Sequence, residues 1–135
     1  MKRIIGATVL GIAAALGTTG AVDAVPPPAG GCTVNVYWEL DAFGMLTAYP
    51  AANCATQQTF SKVIIDSSLL KDGRWVDSGT ARYGRTRGRM LPGGAVQTRN
   101  TAGNNEYCVI VNLSWQYVPA SGPDRTRSGR SCVNY

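Results

Sequence analysis

Apolar and polar residues alternate in two long stretches of the chain. Cys32, Val34, Val36, Trp38 and Leu40 alternate with Thr33, Asn35, Tyr37 and Glu39. Side chains of a strand point to opposite faces with period two, so this is a strand with one buried face. Tyr107, Val109, Val111, Leu113, Trp115 and Tyr117 fall on one face of a second stretch, Glu106 to Tyr117, with a mostly polar set between them. This is the longest β-type run, and we expect it to be a central strand. Asp41-Ala-Phe-Gly44 supplies turn residues, and Met45 to Cys54 should return antiparallel. Thr59 to Leu70 and Arg74 to Tyr83 flank Lys71-Asp-Gly-Arg74, a strong hairpin signal with Leu70 facing Trp75. In the first of these, Val63, Ile65, Ser67 and Leu69 form the inner face. Gly84 to Gly94, with four glycines and a proline, reads as mostly loop. Ala95 to Thr101 reads as a short strand and Thr101 to Asn105 as a turn. The sum is an all-β domain of six to eight strands, a single antiparallel β-sandwich or small barrel.

Opposed residues in a hairpin have a constant sum of residue numbers, which gives a test of register. A turn centred on Phe43 places Cys32 opposite Cys54, Val34 opposite Ala52, Trp38 opposite Ala48 and Leu40 opposite Leu46. A loop centred on Ala120, within Val118-Pro-Ala-Ser-Gly-Pro123, places Cys108 opposite Cys132, Val109 opposite Ser131 and Trp115 opposite Arg125. A guanidinium would then lie over the Trp115 indole. Leu113 opposite Arg127 is less comfortable and points to a bulge. We therefore expect disulfides Cys32–Cys54 and Cys108–Cys132, with Cys54–Cys108 and Cys32–Cys132 as the rival pairing. The first would close a loop of about 20 residues, worth on the order of 3 kcal/mol in the chain-entropy picture. Cys108 lies on the more polar face of its strand, so the second bridge should be the more exposed.

The start of the chain changes the setting. Met1-Lys2-Arg3 precedes an apolar run from Ile4 to Leu16, and Val22-Asp23-Ala24 fits a small-x-small cleavage site. Residues 1–24 read as a secretory signal peptide, too short in its apolar part for a membrane span, and no later stretch is long enough either. Residues 25–31, Val-Pro-Pro-Pro-Ala-Gly-Gly, read as a linker. Residues 32–135 form one secreted β domain. Removing residues 1–24 takes away Lys2, Arg3 and Asp23 and lowers the net charge from +5 to +4.

Composition limits the chemistry. There is no histidine, which removes the commonest general base and every Ser-His-Asp or Cys-His arrangement. Paired cysteines leave no thiolate, and without close Cys pairs or histidine a zinc site is not expected. Ser68-Leu-Leu-Lys71 matches an acyl-enzyme pattern that needs a helical turn, yet it enters a β-turn. Glu39 and Asp41 share a strand face beside a turn, where Asp41 caps its own backbone. Asn112-Leu-Ser114 is a glycosylation sequon by sequence alone. We expect no catalytic residue, no cofactor and no metal.

Arg82-Tyr-Gly-Arg-Thr-Arg-Gly-Arg89 is the one unusual concentration of residues. If extended, Tyr83, Arg85, Arg87 and Arg89 lie on one side, and with Arg82 they form the candidate binding residues. Guanidinium groups hold phosphate or carboxylate in bidentate fashion; the plain alternative is a solvated loop that aids solubility. Arg125, Arg127 and Arg130 form a second basic cluster that matters if the fold brings it near the first.

The signal peptide, Cys32-Thr-Val-Asn-Val, Ala52-Asn-Cys54, Leu70-Lys-Asp-Gly-Arg-Trp-Val76, Glu106-Tyr-Cys108 and Ser131-Cys132 together resemble the small secreted β-sandwich proteins of actinobacteria. The resemblance implies an immunoglobulin-like or fibronectin-III-like sandwich and carries no activity. The chain departs from immunoglobulin domains at two marks: Tyr107 is adjacent to Cys108, and Trp75 follows Cys54 by 21 positions. The expected function is a non-enzymatic extracellular binding domain whose arginine loop contacts a cell-wall or other polyanion. The alternative is an inhibitor or toxin-like effector of another secreted protein, presenting Arg89-Met-Leu-Pro-Gly93 as an exposed loop.

Overall fold

The computed structural model describes residues 31–119 and 123–135. These form seven strands: β1 (Cys32–Leu40), β2 (Met45–Lys71), β3 (Arg74–Tyr83), β4 (Thr86–Pro92), β5 (Val96–Arg99), β6 (Glu106–Tyr117) and β7 (Arg125–Asn134). They make one antiparallel sheet curled into a half-barrel, with no helix among the described residues. The proposed signal peptide and nearly all of the proposed linker lie outside the described residues. Gly31 does not fit the linker reading, because its carbonyl accepts the Ala55 amide at 2.9 Å and so continues the β1–β2 pairing.

The whole sheet is hung on β2. Along one edge β2 pairs first with β1 and then with β6; along the other it pairs with β5, β4 and β3 in turn. Alternation predicts Met45–Cys54 and Thr59–Leu70 as separate strands, but both belong to one strand of 27 residues. Nothing between them stops a strand, since Ala55-Thr-Gln-Gln-Thr59 contains neither glycine nor proline. The ladder breaks here instead, shifting register between Asn53 and Gln58 opposite β4. Extra residues on one strand bend it, and this bend turns the first half of the sheet toward the second.

The bend places two apolar faces against each other. Val34, Val36, Trp38, Leu46 and Ala48 from the first half meet Val63, Ile65, Leu69, Val109, Val111 and Leu113 from the second in one buried cluster. The halves are tied at both margins. The Trp38 Nε1–H donates to Ser131 Oγ at 2.9 Å, joining β1 to β7, and the Gln97 amide donates to Asp77 Oδ2 at 2.9 Å, joining β5 to β3. On the β3 margin Gly79 and Gly94 let two backbones touch. A Cβ on Gly94 would sit 2.9 Å from the Thr80 nitrogen, and one on Gly79 would sit 3.0 Å from the Gly94 carbonyl oxygen.

The predicted hairpin registers hold. Cys32 faces Cys54, Val34 faces Ala52, Trp38 faces Ala48 and Leu40 faces Leu46. Cys108 faces Cys132, and the β6–β7 register runs to Trp115–Arg125 without the expected bulge. Both predicted disulfides form. Cys32, Cys54 and Cys108 are buried while Cys132 is half-buried, so the second bridge is the more exposed. The Asp72-Gly73 turn has positive φ at both residues, as a tight hairpin turn requires. Leu70 faces Trp75 after a register shift that leaves Val76 unopposed.

Two expectations need correction. Gly84 to Gly94 is not mostly loop, since Thr86–Pro92 forms β4 along the edge of β2. Its backbone takes the hydrogen bonds β2 offers there, Leu91 is buried as an anchor, and the arginines point to solvent. Two of the glycines that read as breakers, Gly93 and Gly94, serve close approach instead. Arg125 also lies over Tyr117 rather than Trp115, 5.0 Å from the ring centroid, because the indole is buried and the phenol ring is nearer the rim.

Candidate functional site

The arginines of the Arg82–Arg89 stretch are distributed over a strand end, a turn and a strand. Arg82, near the end of β3, opposes Ile64 on the outer face. Arg85 occupies the Gly84–Arg85 link between β3 and β4. Neither side chain has a hydrogen bond or ion pair among the described residues. Arg87 and Arg89 stand on β4 and are held. Arg87 Nη1–H donates to Thr59 Oγ1 at 3.1 Å, and Arg89 Nε–H donates to the Cys54 carbonyl at 3.1 Å. The second bond supplies a donor to a carbonyl inside the β2 bulge, where β4 offers no ladder partner. These two guanidinium groups are therefore oriented by the protein, with their remaining N–H groups facing outward.

Tyr83 stands apart from Arg87 and Arg89. Its ring packs against the core, and its hydroxyl donates to the Pro92 carbonyl. It opposes the buried Val63, and the link through Gly84 and Arg85 resets the alternation, so Tyr83 does not share a side with Arg87 and Arg89. Arg89-Met-Leu-Pro-Gly93, expected as an exposed loop, is mostly strand with Leu91 buried.

The second basic cluster lies at the same end of the sheet as the first. Arg82 opposes Ile64, Ile64 opposes Ser114 and Ser114 opposes Thr126, whose neighbours are Arg125 and Arg127. Arg82 and Thr126 are thus separated by three strand spacings, about 14 Å. Arg130 is farther along β7, with its Nη2 3.4 Å from Cys108 Sγ. Lys62 also lies at this end and forms an ion pair of 3.0 Å with Asp124. The Lys62 hydrogen bond is the main cause that lowers the Asp124 carboxyl pKa from its ordinary value.

Other carboxylates are placed elsewhere and are mostly occupied. The Asp41 carboxylate accepts the amides of Phe43 and Met45, which closes the β1–β2 turn. Glu39 accepts the Tyr49 hydroxyl at 3.1 Å. Asp66, one outer-face row from Arg82, accepts the Thr80 hydroxyl at 2.8 Å. Asp72 accepts the Glu106 amide at the far hairpin. The result is an end of the sheet rich in guanidinium, with Asp124 paired to Lys62 and Asp66 one row from Arg82.

The remaining sequence candidates are not assembled into sites. Ser68 and Lys71 are three apart on β2 and so point to opposite faces; Ser68 opposes Ile110, and Lys71 Nζ–H donates to Thr101 Oγ1. Glu106 lies beside Cys108 and Cys132, but sulfurs joined in a disulfide offer no thiolate to a metal. Asn112 is exposed and accepts the Ser128 hydroxyl at 2.8 Å. Among the described residues no helix is long and apolar enough to cross a membrane.

One exposed feature has no counterpart among the sequence-predicted site residues. Tyr37 and Tyr49 oppose each other on the outer face of the first half-sheet. The signal was available, because the register sum that pairs Cys32 with Cys54 also pairs Tyr37 with Tyr49. The chain matches no protein-family model, no curated protein and no solved structure.

Proposed function

We propose that this protein is a non-enzymatic extracellular binding domain that grips a polyanion with the basic end of its half-barrel. The observation that carries the reading is the run of Arg82, Arg85, Arg87 and Arg89 along the β3–β4 edge, with Arg125 and Arg127 flanking the level of Arg82 on β7. Arg87 and Arg89 are already oriented by hydrogen bonds, so less side-chain freedom is lost when they engage an anion. Arg82 and Arg85 have no partner to give up among the described residues. Guanidinium groups strung along one edge suit a chain of repeated phosphates, sulfates or carboxylates better than one small anion. Two disulfides in a small β domain are consistent with an extracellular location. The resemblance to secreted β-sandwich proteins belongs to the same reading.

The test is titration of the full domain with heparin and with long-chain polyphosphate, using neutral dextran as control. Saturable binding to the polyanions and none to dextran is expected. Replacing Arg82 and Arg85 together by alanine should weaken binding at least tenfold without moving the melting temperature, because neither residue holds the fold. Equal affinity of the double variant and the parent would refute this placement of the site.

A further inference from the structure

The outer face of the first half-sheet is chemically unlike the basic end. Four cross-strand rows define it: Thr33–Asn53–Met90, Asn35–Ala51–Pro92, Tyr37–Tyr49 and Glu39–Thr47–Gln97. Glu39 is the only charged residue in these rows. The two tyrosines are 50% and 42% exposed, with ring centroids 6.2 Å apart and planes inclined by 39°. The Tyr49 hydroxyl donates to Glu39 Oε1 at 3.1 Å, which fixes both the ring and the carboxylate. Burial and the Glu39 hydrogen bond raise the Tyr49 pKa, so the phenol stays protonated and keeps that bond. On the next row Thr47 Oγ1 donates to Gln97 Oε1 at 3.4 Å, leaving the Gln97 amide N–H groups outward.

We infer that this face is a second binding site, for an uncharged chain of equatorially linked hexopyranoses. Such sugars present axial C–H groups on both ring faces, and these weakly positive edges suit the negative face of an aromatic ring. Two neighbouring tyrosines offer stacking to two consecutive sugar units, and their inclination suits a twisted single chain over a flat crystalline surface. Around the rings, Glu39, Asn35 and Gln97 provide an acceptor and amides for equatorial hydroxyls. A few fixed polar groups beside an apolar platform give orientation and specificity. Charge complementarity disfavours a polyanion, since the sole charge in these four rows is a carboxylate. Area disfavours a second copy of the chain. The two half-exposed tyrosine rings offer roughly 200 Å² of aromatic surface, less than half the non-polar part of the about 800 Å² that each partner buries in a specific protein interface.

The experiment is titration of the isotope-labelled domain with cellohexaose and, separately, with chitohexaose, followed by amide shift mapping. The expected result is saturable binding of at least one oligosaccharide, with shifts centred on residues 35–39 and 47–51 and no loss in high salt. Tyr37→Ala and Tyr49→Ala should each weaken it about tenfold or more, with the amide spectrum of the folded domain retained, while Arg82→Ala/Arg85→Ala should leave it intact. The proposal is overturned if neither oligosaccharide binds, or if the shifts map away from the tyrosines. It is equally overturned if the parent is a dimer that both tyrosine variants dissociate, since the face is then a self-contact. Because the polyanion titration uses the other end and the other variants, either reading can fail while the other stands.

Discussion

Asp41 shows how a single side chain sets a turn. Its carboxylate takes the Met45 and Phe43 amides, and the Met45 bond is the largest cause of its lowered pKa. A carboxyl with a depressed folded-state pKa contributes stability above its unfolded value and loses it as pH falls through the folded one. Asp41→Ala should therefore melt below the parent near neutrality, and the gap should close as pH falls below the ordinary value of 3.8. Thermal melts of both proteins across that range check this; a gap that persists in acid would mean that lost packing, and not the ionised cap, is responsible. This role was legible, because aspartate at the start of a turn bonds amides two and four residues on. The cysteine pairs and the Tyr37–Tyr49 pair were legible too, through register. What the arginines touch was not. Sequence shows Arg87 and Arg89 as two members of a basic run, while their bonds to Thr59 and Cys54 depend on a β2 bulge that no local pattern announces.

Among the elements, β2 and β4 account for most of the difference between sequence and structure. Alternation identified both ends of β2 correctly, and the polar segment between them looked like a boundary. It is instead the bend on which the half-barrel closes, since exposed residues such as Thr56 and Gln57 continue a strand where no breaker intervenes. Glycine density made the β4 region look like loop. Gly94 and Gly79 are there because backbone meets backbone at the β3 margin. Gly94→Ala should accordingly cost about 1–3 kcal/mol by overpacking, a fall of roughly 4–8 °C in melting temperature per kcal/mol for a domain of this size. Gly84→Ala is the matched control, since nothing lies within 4 Å of the Cβ it would add. Equal melting of the two variants would show that the β3 margin is looser than the contacts imply.

For the molecule as a whole, the two bridges differ in accessibility in the manner the strand faces predict. Cys32 and Cys54 share the core, whereas Cys132 is half-buried on the outer face. Under limiting reductant without denaturant, Cys108–Cys132 should open first, as identified by alkylation and peptide mass mapping. Simultaneous loss of both bridges, or earlier loss of Cys32–Cys54, would contradict that order. Either bridge closes a loop long enough to be worth on the order of 3 kcal/mol. The fold class and staple positions were readable because both follow from period and register. The grouping of two basic clusters at one end follows from the β3–β2–β6–β7 order, which periodicity does not contain. That grouping is what the binding reading depends on. Its most direct measurement is the dissociation constant for long-chain polyphosphate over a series of salt concentrations. Several guanidinium contacts displace counterions together, so the logarithm of affinity should fall linearly and steeply with the logarithm of salt. Arg82→Ala/Arg85→Ala should make that slope shallower by about two, and binding that is unchanged from low to high salt would contradict the account.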